Sequence, residues 1–214
     1  MKFEKKAVIF DLDGIICFTD KFHYQAWKKL ADRLGIYFDE EINNRLRGVS
    51  RMASLDIILE RASVEYTQEE KAAFAEEKNN TYRELLKNMD ASDLSGEVRN
   101  TLMELRSRGY KLAIGSSSKN TKFILNQIGL GDFFDTIADG TDIVNSKPDP
   151  EVFLKAAAKL NIAPAECAVV EDAKSGIAAA KAGGMTALAL FGDARECGQE
   201  DYNLQSFQDL LNVL

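Results

Sequence analysis

Two carboxylates one residue apart, Asp11 and Asp13 in the run Phe10-Asp11-Leu12-Asp13-Gly14, directly follow a short apolar stretch from Ala7 to Phe10. Acids so placed can attack an electrophile, hold a metal ion or move a proton. Further along the chain, Ser116 follows the apolar run Lys111 to Gly115 and the pair Glu171-Asp172 follows Ala168 to Val170. Lys147 sits in the loop Asn145-Ser146-Lys147-Pro148-Asp149-Pro150. A hydroxyl, an ammonium and four acids suit the handling of a phosphoryl group, whose oxygens carry heavy negative charge and need cations and hydrogen-bond donors around them. The sequence has a single histidine, His23. Triads and His-rich metal sites draw on that residue type, so metal chemistry here falls to carboxylates and carbonyls, the hard oxygen ligands that magnesium prefers.

Taken singly, each of these residues has an ordinary alternative. An acid that ends a strand is often a solvated loop residue, Lys147 can be a solvated loop lysine, and Ser116 can cap a helix starting near Lys119. A serine at a helix start can also cap and bind phosphate together.

The elements that would position these groups can be read from periodicity. Ala7 to Phe10, Lys111 to Gly115, Ala168 to Val170 and Ala187 to Leu190 read as buried parallel strands, each a short apolar run bounded by polar or glycine residues. Helical patterns lie between them, at Glu97 to Arg108, Lys119 to Ile128, Glu151 to Leu160 and Ser175 to Ala182. Alternating strands and helices predict an α/β fold with a Rossmann-like open parallel sheet, in which ligands bind at the carboxyl ends of the strands. Residues 18–90 break the alternation: they read as successive amphipathic helices from Asp20, Asp39, Ser50 and Thr67, an all-helical insertion after the first strand. The expected division is residues 1–17 with 91–214 as the α/β core and residues 18–90 as a helical cap, the chain crossing near Cys17 to Thr19 and near Asp90 to Asp93. Two adjacent crossings make a natural hinge.

Composition narrows the function classes. A net charge of -7 lacks the basic field that a sequence-independent hold on nucleic acid or an anionic membrane needs. The three cysteines, Cys17, Cys167 and Cys197, have no CxxC spacing and fit a reducing cytoplasm better than a disulfide framework. The apolar run at the start ends too soon for a signal-peptide core, and no run approaches membrane-spanning length. The expectation is a cytoplasmic monomer acting on a small molecule, with no nucleic-acid or membrane partner.

The four motifs FDLDG at 10–14, GSSS at 115–118, SKPDP at 146–150 and VVEDAKSGIAAAKAGG at 169–184 together resemble those of the haloacid dehalogenase superfamily. The insertion carries His23 and Trp27 in HYQAW, then Arg47-Gly48-Val49-Ser50-Arg51, then Glu77-Lys78-Asn79-Asn80, and these with SSSKN at 116–120 resemble the β-phosphoglucomutase family. The resemblance implies Asp11 as the nucleophile that becomes phosphorylated and Asp13 as general acid and base. It implies magnesium as cofactor, held by Asp11, the backbone carbonyl of Asp13, and Asp172, with Glu171 as a ligand or just behind. Lys147 and Ser116 would contact the phosphoryl group being transferred. Arg51, Ser118 and Asn120 would hold the other phosphate of a bisphosphate intermediate, Lys78 and the backbone at Gly48 and Val49 would contact the sugar, and His23 would link cap closure to the positioning of Asp13.

A mutase needs that second anionic site, because the bisphosphate must rebind with its ends exchanged. A sugar phosphate phosphatase, in which water attacks the phosphorylated aspartate, is the alternative activity. A catalytically silent binding protein is a third reading, and it has no chemical need for Asp11, Asp13, Lys147 and Asp172 together. Ordinary roles stay open for the insertion residues: Ser50 as a helix cap, Arg51 as a first-turn surface residue, His23 and Trp27 as one packed helix face. Met52, Leu55, Ile58 and Leu59 are helix-spaced and read as core. Three positions depart from the family. Phe18 replaces an acidic residue beside Thr19, implying a drier hinge; Arg47 replaces a lysine; and Ser95 replaces the proline usual before Gly96, implying a looser second crossing.

Overall fold

A computed structural model describes residues 3–46 and 49–214. Arg47 and Gly48, and with them the expected sugar contact at Gly48, lie outside the described residues. The chain divides into two compact units, Met1–Phe18 with Asp90–Leu214, and Thr19–Met89.

The larger unit is built on a parallel sheet. Its strands are β1 (Ala7–Phe10), β2 (Lys111–Gly115), β3 (Thr136–Ala138), β4 (Cys167–Glu171), β5 (Thr186–Ala189) and β6 (Tyr202–Asn203), in the order β3-β2-β1-β4-β5-β6. The strand Ala-Val-Ile-Phe of β1 is buried on both faces, as a continuous apolar run in a parallel sheet requires. Ile9 joins the core on one face with Ala113, Val169 and Ala187, covered by Val152, Phe153 and Ala156 of α7 (Glu151–Leu160) and by Ile177 and Ala180 of α8 (Lys174–Ala182). Phe10 points the other way and stacks on Phe207 at 5.7 Å between ring centroids. Full burial of side chains such as Ile9 and Phe10 contributes about 1.5–3 kcal/mol each. That anchors β1 at the centre of the sheet.

From β1 the chain runs outward through β2 to β3, then returns to lay β4 on the opposite side of β1. This reversal of direction is a topological switch point, where the connections leave a crevice beyond the carboxyl ends of β1 and β4. The register sets Phe10 opposite both Ile114 and Val170, so Asp11, Gly115 and Glu171 come level across three adjacent strands.

β3 and β6 were not expected. Each is two or three residues long at an edge of the sheet, and neither carries an apolar run. The helix expected over Lys119 to Ile128 is observed as α6 (Thr121–Gln127), with Asn120 at its N-cap position, so Ser116 is not its cap.

The smaller unit is helical: α1 (Asp20–Arg33), α2 (Glu40–Asn44), α3 (Arg51–Leu59) and α4 (Gln68–Leu86). Each of the last three starts where a side chain accepts a backbone N–H that would otherwise lack a partner: Asp39 from Ile42, Ser50 from Ala53, and Thr67 from Glu70 in a capping box. Its core gathers Trp27, Leu30, Ile42, Leu55 and Ile58 among others, while Leu59 packs at the edge. Met52, expected in the core, is 38% exposed, because the first turn of α3 turns it outward. No helix among the described residues is long and apolar enough to cross a membrane.

The departures at the crossings also resolve. Phe18 is 60% exposed and lies 6.3 Å from the exposed ring of Phe191, while Cys17 and Thr19 on either side of it are fully buried. Ser95 accepts a hydrogen bond from Val98 N–H as the N-cap of α5 (Gly96–Ser107), which ties the start of that helix instead of loosening it.

Candidate active site

The backbone at the end of β1 sets the position of Asp11, whose N–H donates to the Val170 carbonyl at 3.0 Å and extends the ladder by one residue. The Asp11 side chain is buried and accepts a 2.5 Å hydrogen bond from Lys147 Nζ on Oδ1. The same ammonium donates to Oε1 of Glu171 at 2.5 Å. Oε2 of Glu171 accepts the N–H groups of Asp172 and Ala173, each at 2.9 Å. Glu171 thus anchors Lys147 from behind and fixes the turn that presents Asp172. Gly176 makes room for it: a Cβ there would stand 1.9 Å from the Glu171 carboxylate.

After Asp11 the chain folds back, with Gly14 N–H donating to the Cys17 carbonyl at 2.8 Å and a bridge pairing Asp13 with Cys17. Asp13 is half-buried. Gly14 has φ +85°, and a Cβ on it would come within 2.2 Å of Oδ2 of Asp172. The tight turn therefore brings the loop after β1 against the acid after β4. On its other side, Asp172 accepts the Ala194 N–H at its carbonyl at 3.1 Å.

Electrostatics follow from this crowding. Burial raises the Asp11 pKa to about 7; Lys147 pulls it back, while Glu171 and Asp13 push it further up. Burial raises Asp172 to about 9, with Glu171, Asp11 and Asp13 adding to the shift and Lys147 opposing it. Burial works against the Lys147 ammonium, but Asp11 and Glu171 outweigh it and hold the pKa above the ordinary lysine value. One ammonium is set against the acids Asp11, Asp13, Glu171 and Asp172, which is a deficit of positive charge.

A magnesium ion fits that deficit and that donor set. Among the described residues no three His, Cys, Asp or Glu side chains form a ready-made metal cage. The expected ligand set needs fewer, since it combines the carboxylates of Asp11 and Asp172 with a backbone carbonyl, and magnesium habitually completes its shell with water and phosphate oxygens.

Ser116 is buried at the end of β2, its N–H on the Ala138 carbonyl at 3.1 Å and its Oγ accepting the Ser118 N–H at 3.2 Å. Ser118 Oγ accepts the Asn120 N–H at 3.2 Å, and its carbonyl accepts from Thr121 Oγ1 at 2.9 Å. The SSSKN run is therefore a turn held by its own hydroxyls.

On the helical unit, Lys78 is buried with Nζ 2.8 Å from Nδ1 of His23 and over the rings of Trp27 and Tyr82 at 4.6 and 4.7 Å. A charged Lys78 has only donors, so this contact would pair with the His23 tautomer that leaves Nδ1 as the acceptor. The imidazole lies 4.0 Å from the Tyr82 ring, and the Tyr82 hydroxyl is 2.8 Å from Thr19 Oγ1. Arg51, in the first turn of α3, donates from Nη2 to Asn79 Oδ1 at 2.9 Å and has Glu76 at 3.9 Å. Val49 is exposed.

Within the sheet unit the structure joins Asp11, Lys147 and Glu171 by hydrogen bonds and sets Asp172 against the Gly14 turn. Within the helical unit it joins His23 to Lys78, and Arg51 to Asn79. Sequence reasoning did not single out Gly14 and Gly176 as spacers or Tyr82 as a partner of His23. The glycines sit inside the quoted motifs, and their presence beside the acids was the available signal.

The sequence model of haloacid dehalogenase-like hydrolases matches residues 5–184. The chain is 42% identical over 185 residues to the β-phosphoglucomutase of Bacillus subtilis, covering 86% of this chain and 82% of that one. It is 33% identical over 183 residues to the phosphorylated carbohydrates phosphatase of Thermotoga maritima, covering 84% and 82%. Among solved structures, the β-phosphoglucomutase of Clostridium difficile matches with a TM-score of 0.89 and 38% identity over 96% of this chain and 93% of that one.

Proposed function

The chain belongs to the haloacid dehalogenase-like hydrolase family, and from that premise we propose that it is a magnesium-dependent phosphotransferase interconverting β-D-glucose 1-phosphate and glucose 6-phosphate. The observation that carries phosphoryl transfer is the buried Lys147 ammonium bridging Asp11 and Glu171 at the switch point of the sheet. The likeness to the Bacillus mutase favours a sugar hydroxyl over water as the acceptor.

In the proposed cycle, Asp11 starts phosphorylated. Asp13 removes the proton from the 6-hydroxyl of β-glucose 1-phosphate as that oxygen takes the phosphoryl group and the Asp11 O–P bond breaks. The 1,6-bisphosphate rebinds with its ends exchanged, Asp11 attacks the phosphorus at position 1, and Asp13 returns a proton to the sugar oxygen that leaves. Lys147 holds the Asp11 carboxylate by one oxygen and adds positive charge at the phosphoryl group, and Ser116 adds a donor. Magnesium, bound through Asp11, the Asp13 carbonyl and Asp172 with Glu171 beside them, would supply the charge that lets an anionic phosphoryl group meet an anionic nucleophile.

The sheet unit acts as the catalytic core and the helical unit as its cap. On the helical unit Arg51 binds the phosphate that is not being transferred, and Lys78 and the Val49 backbone contact the sugar. On the sheet unit Ser118 and Asn120 bind phosphate. The chain works as a cytoplasmic monomer on this small phosphosugar.

A sugar phosphate phosphatase is the second reading, favoured by the 33% identity to the Thermotoga phosphatase. The two separate on products. Purified chain with magnesium, β-glucose 1-phosphate and a trace of the 1,6-bisphosphate should give glucose 6-phosphate in large excess over free phosphate. Free phosphate as the main product would make the chain a phosphatase.

A further inference from the structure

The helix that follows Asp172 has no cap of its own. α8 starts at Lys174, and Ala173, at its N-cap position, has no side-chain oxygen that could accept a first-turn N–H. The acceptor comes from the loop after β5, where Oδ1 of Asp193 takes the Lys174 N–H at 2.7 Å. Register explains the reach: β5 sets Ala189 opposite Glu171, so the loop leaves the sheet beside Asp172. Backbone contacts keep it there. Leu190 N–H donates to the Glu171 carbonyl at 2.8 Å, and Ala194 N–H donates to the Asp172 carbonyl at 3.1 Å. Gly192, with φ +53°, passes so close that a Cβ on it would stand 2.0 Å from the Asp172 carbonyl oxygen.

Asp172 therefore sits in a short segment held from two sides. Oε2 of Glu171 takes the N–H groups of Asp172 and Ala173, while the loop after β5 takes the Asp172 carbonyl and the Lys174 N–H. On the loop side the other contacts are made by backbone, so Asp193 is the position where a side chain sets the hold. We propose that Asp193 is a positioning residue for Asp172: by capping α8 from the loop after β5, it fixes the turn that carries the Asp172 carboxylate and so sets the affinity for magnesium. This rests on Asp172 being a magnesium ligand, as in the reading above. A carboxylate suits the task, because it accepts a stronger hydrogen bond than a neutral oxygen and is favoured at the positive end of a helix. Asp193 is exposed, so its truncation leaves no cavity to confuse the outcome.

The measurements are the magnesium Kd by calorimetry on EDTA-treated, dialysed protein and the melting temperature without metal, for Asp193→Ala, Asp193→Asn and Asp201→Ala. Asp201 is the comparison because its Oδ2 accepts the Ala187 N–H at 2.8 Å, near the amino end of β5 and away from Asp172. Both alanine variants should melt earlier, since each loses an acceptor for a backbone N–H. If Asp193 positions Asp172, the magnesium Kd of Asp193→Ala rises by about tenfold or more. Asp193→Asn recovers most of that loss, as its side-chain carbonyl can still accept, and Asp201→Ala stays within about twofold of wild type. Wild-type magnesium affinity in Asp193→Ala, or an equal loss in Asp201→Ala, would reduce Asp193 to a contributor to stability and overturn the proposal. A loss as large in Asp193→Asn as in the alanine variant would mean that Asp193 acts through its charge and not as a cap, and would overturn it equally. Asp172→Asn separates the proposal from the reading beneath it. Unchanged magnesium affinity in that variant removes Asp172 as a ligand and takes the proposal with it, whereas lost affinity there beside normal affinity in Asp193→Ala removes Asp193 alone.

Discussion

Gly14 and Asp172 share a space that admits no extra carbon: a Cβ on Gly14 would lie 2.2 Å from Oδ2 of the Asp172 carboxylate. The glycine also has φ +85°, where an L side chain costs about 1–2 kcal/mol. Gly14→Ala should therefore lower the melting temperature by about 2–8 °C and, by displacing Asp172, weaken magnesium binding. Gly184→Ala is the control, since Gly184 has φ +71° but nothing within 4 Å of an added Cβ. It should melt earlier with magnesium affinity intact. Equal magnesium affinity in both variants would show that the Gly14 contact does not position Asp172.

Magnesium and pH should act on stability together. In the metal-free fold, burial first and then the neighbouring carboxylates raise Asp172 to about 9; burial likewise raises Asp11 to about 7, against the pull of Lys147. Acids whose folded pKa is raised contribute stability that is present below the ordinary carboxylate pKa and is lost as pH rises through the folded values. Metal binding needs the same groups ionised. The gap in melting temperature between magnesium-loaded and EDTA-treated protein should thus be small at pH 5 and widen towards pH 9. A gap that stays constant or narrows would count against these acids as ligands.

Much of this arrangement was legible in the sequence, for identifiable reasons. The central residues of β1, β2, β4 and β5 are buried on both faces, so each strand carries a short apolar run, with polar residues only at its ends. The starts of α2, α3 and α4 were readable because Asp39, Ser50 and Thr67 cap them through their own side chains, a local interaction. What escaped depends on partners distant in sequence. β3 and β6 are short edge strands defined by pairing to β2 and β5. Gly14 matters only because of Asp172, and Asp193 only because of the Lys174 N–H that it reaches from the loop after β5.

On the proposed mutase reading, Arg51 would distinguish the two activities without touching the carboxylates of Asp11 and Asp13. Its guanidinium is steadied by Asn79 at 2.9 Å, which presets the charge for an anionic ligand. Losing a charge-assisted contact costs on the order of 1.5–3 kcal/mol, so Arg51→Ala should slow mutase turnover by about ten- to a hundredfold. Phosphorylation of Asp11 by acetyl phosphate, which has no second phosphate, should stay nearly normal. Arg51→Lys should recover only part, as a point charge lacks the planar fork. Equal losses with both donors would mean that Arg51 supports the fold of the helical unit instead.

Covalent phosphorylation of Asp11 is the claim on which the rest depends. Purified chain incubated with magnesium and labelled acetyl phosphate, quenched and mapped by peptide mass spectrometry, should carry the label on the peptide containing Asp11, and Asp11→Asn should carry none. Label on another residue of the wild-type chain, or label persisting on Asp11→Asn, would contradict the account.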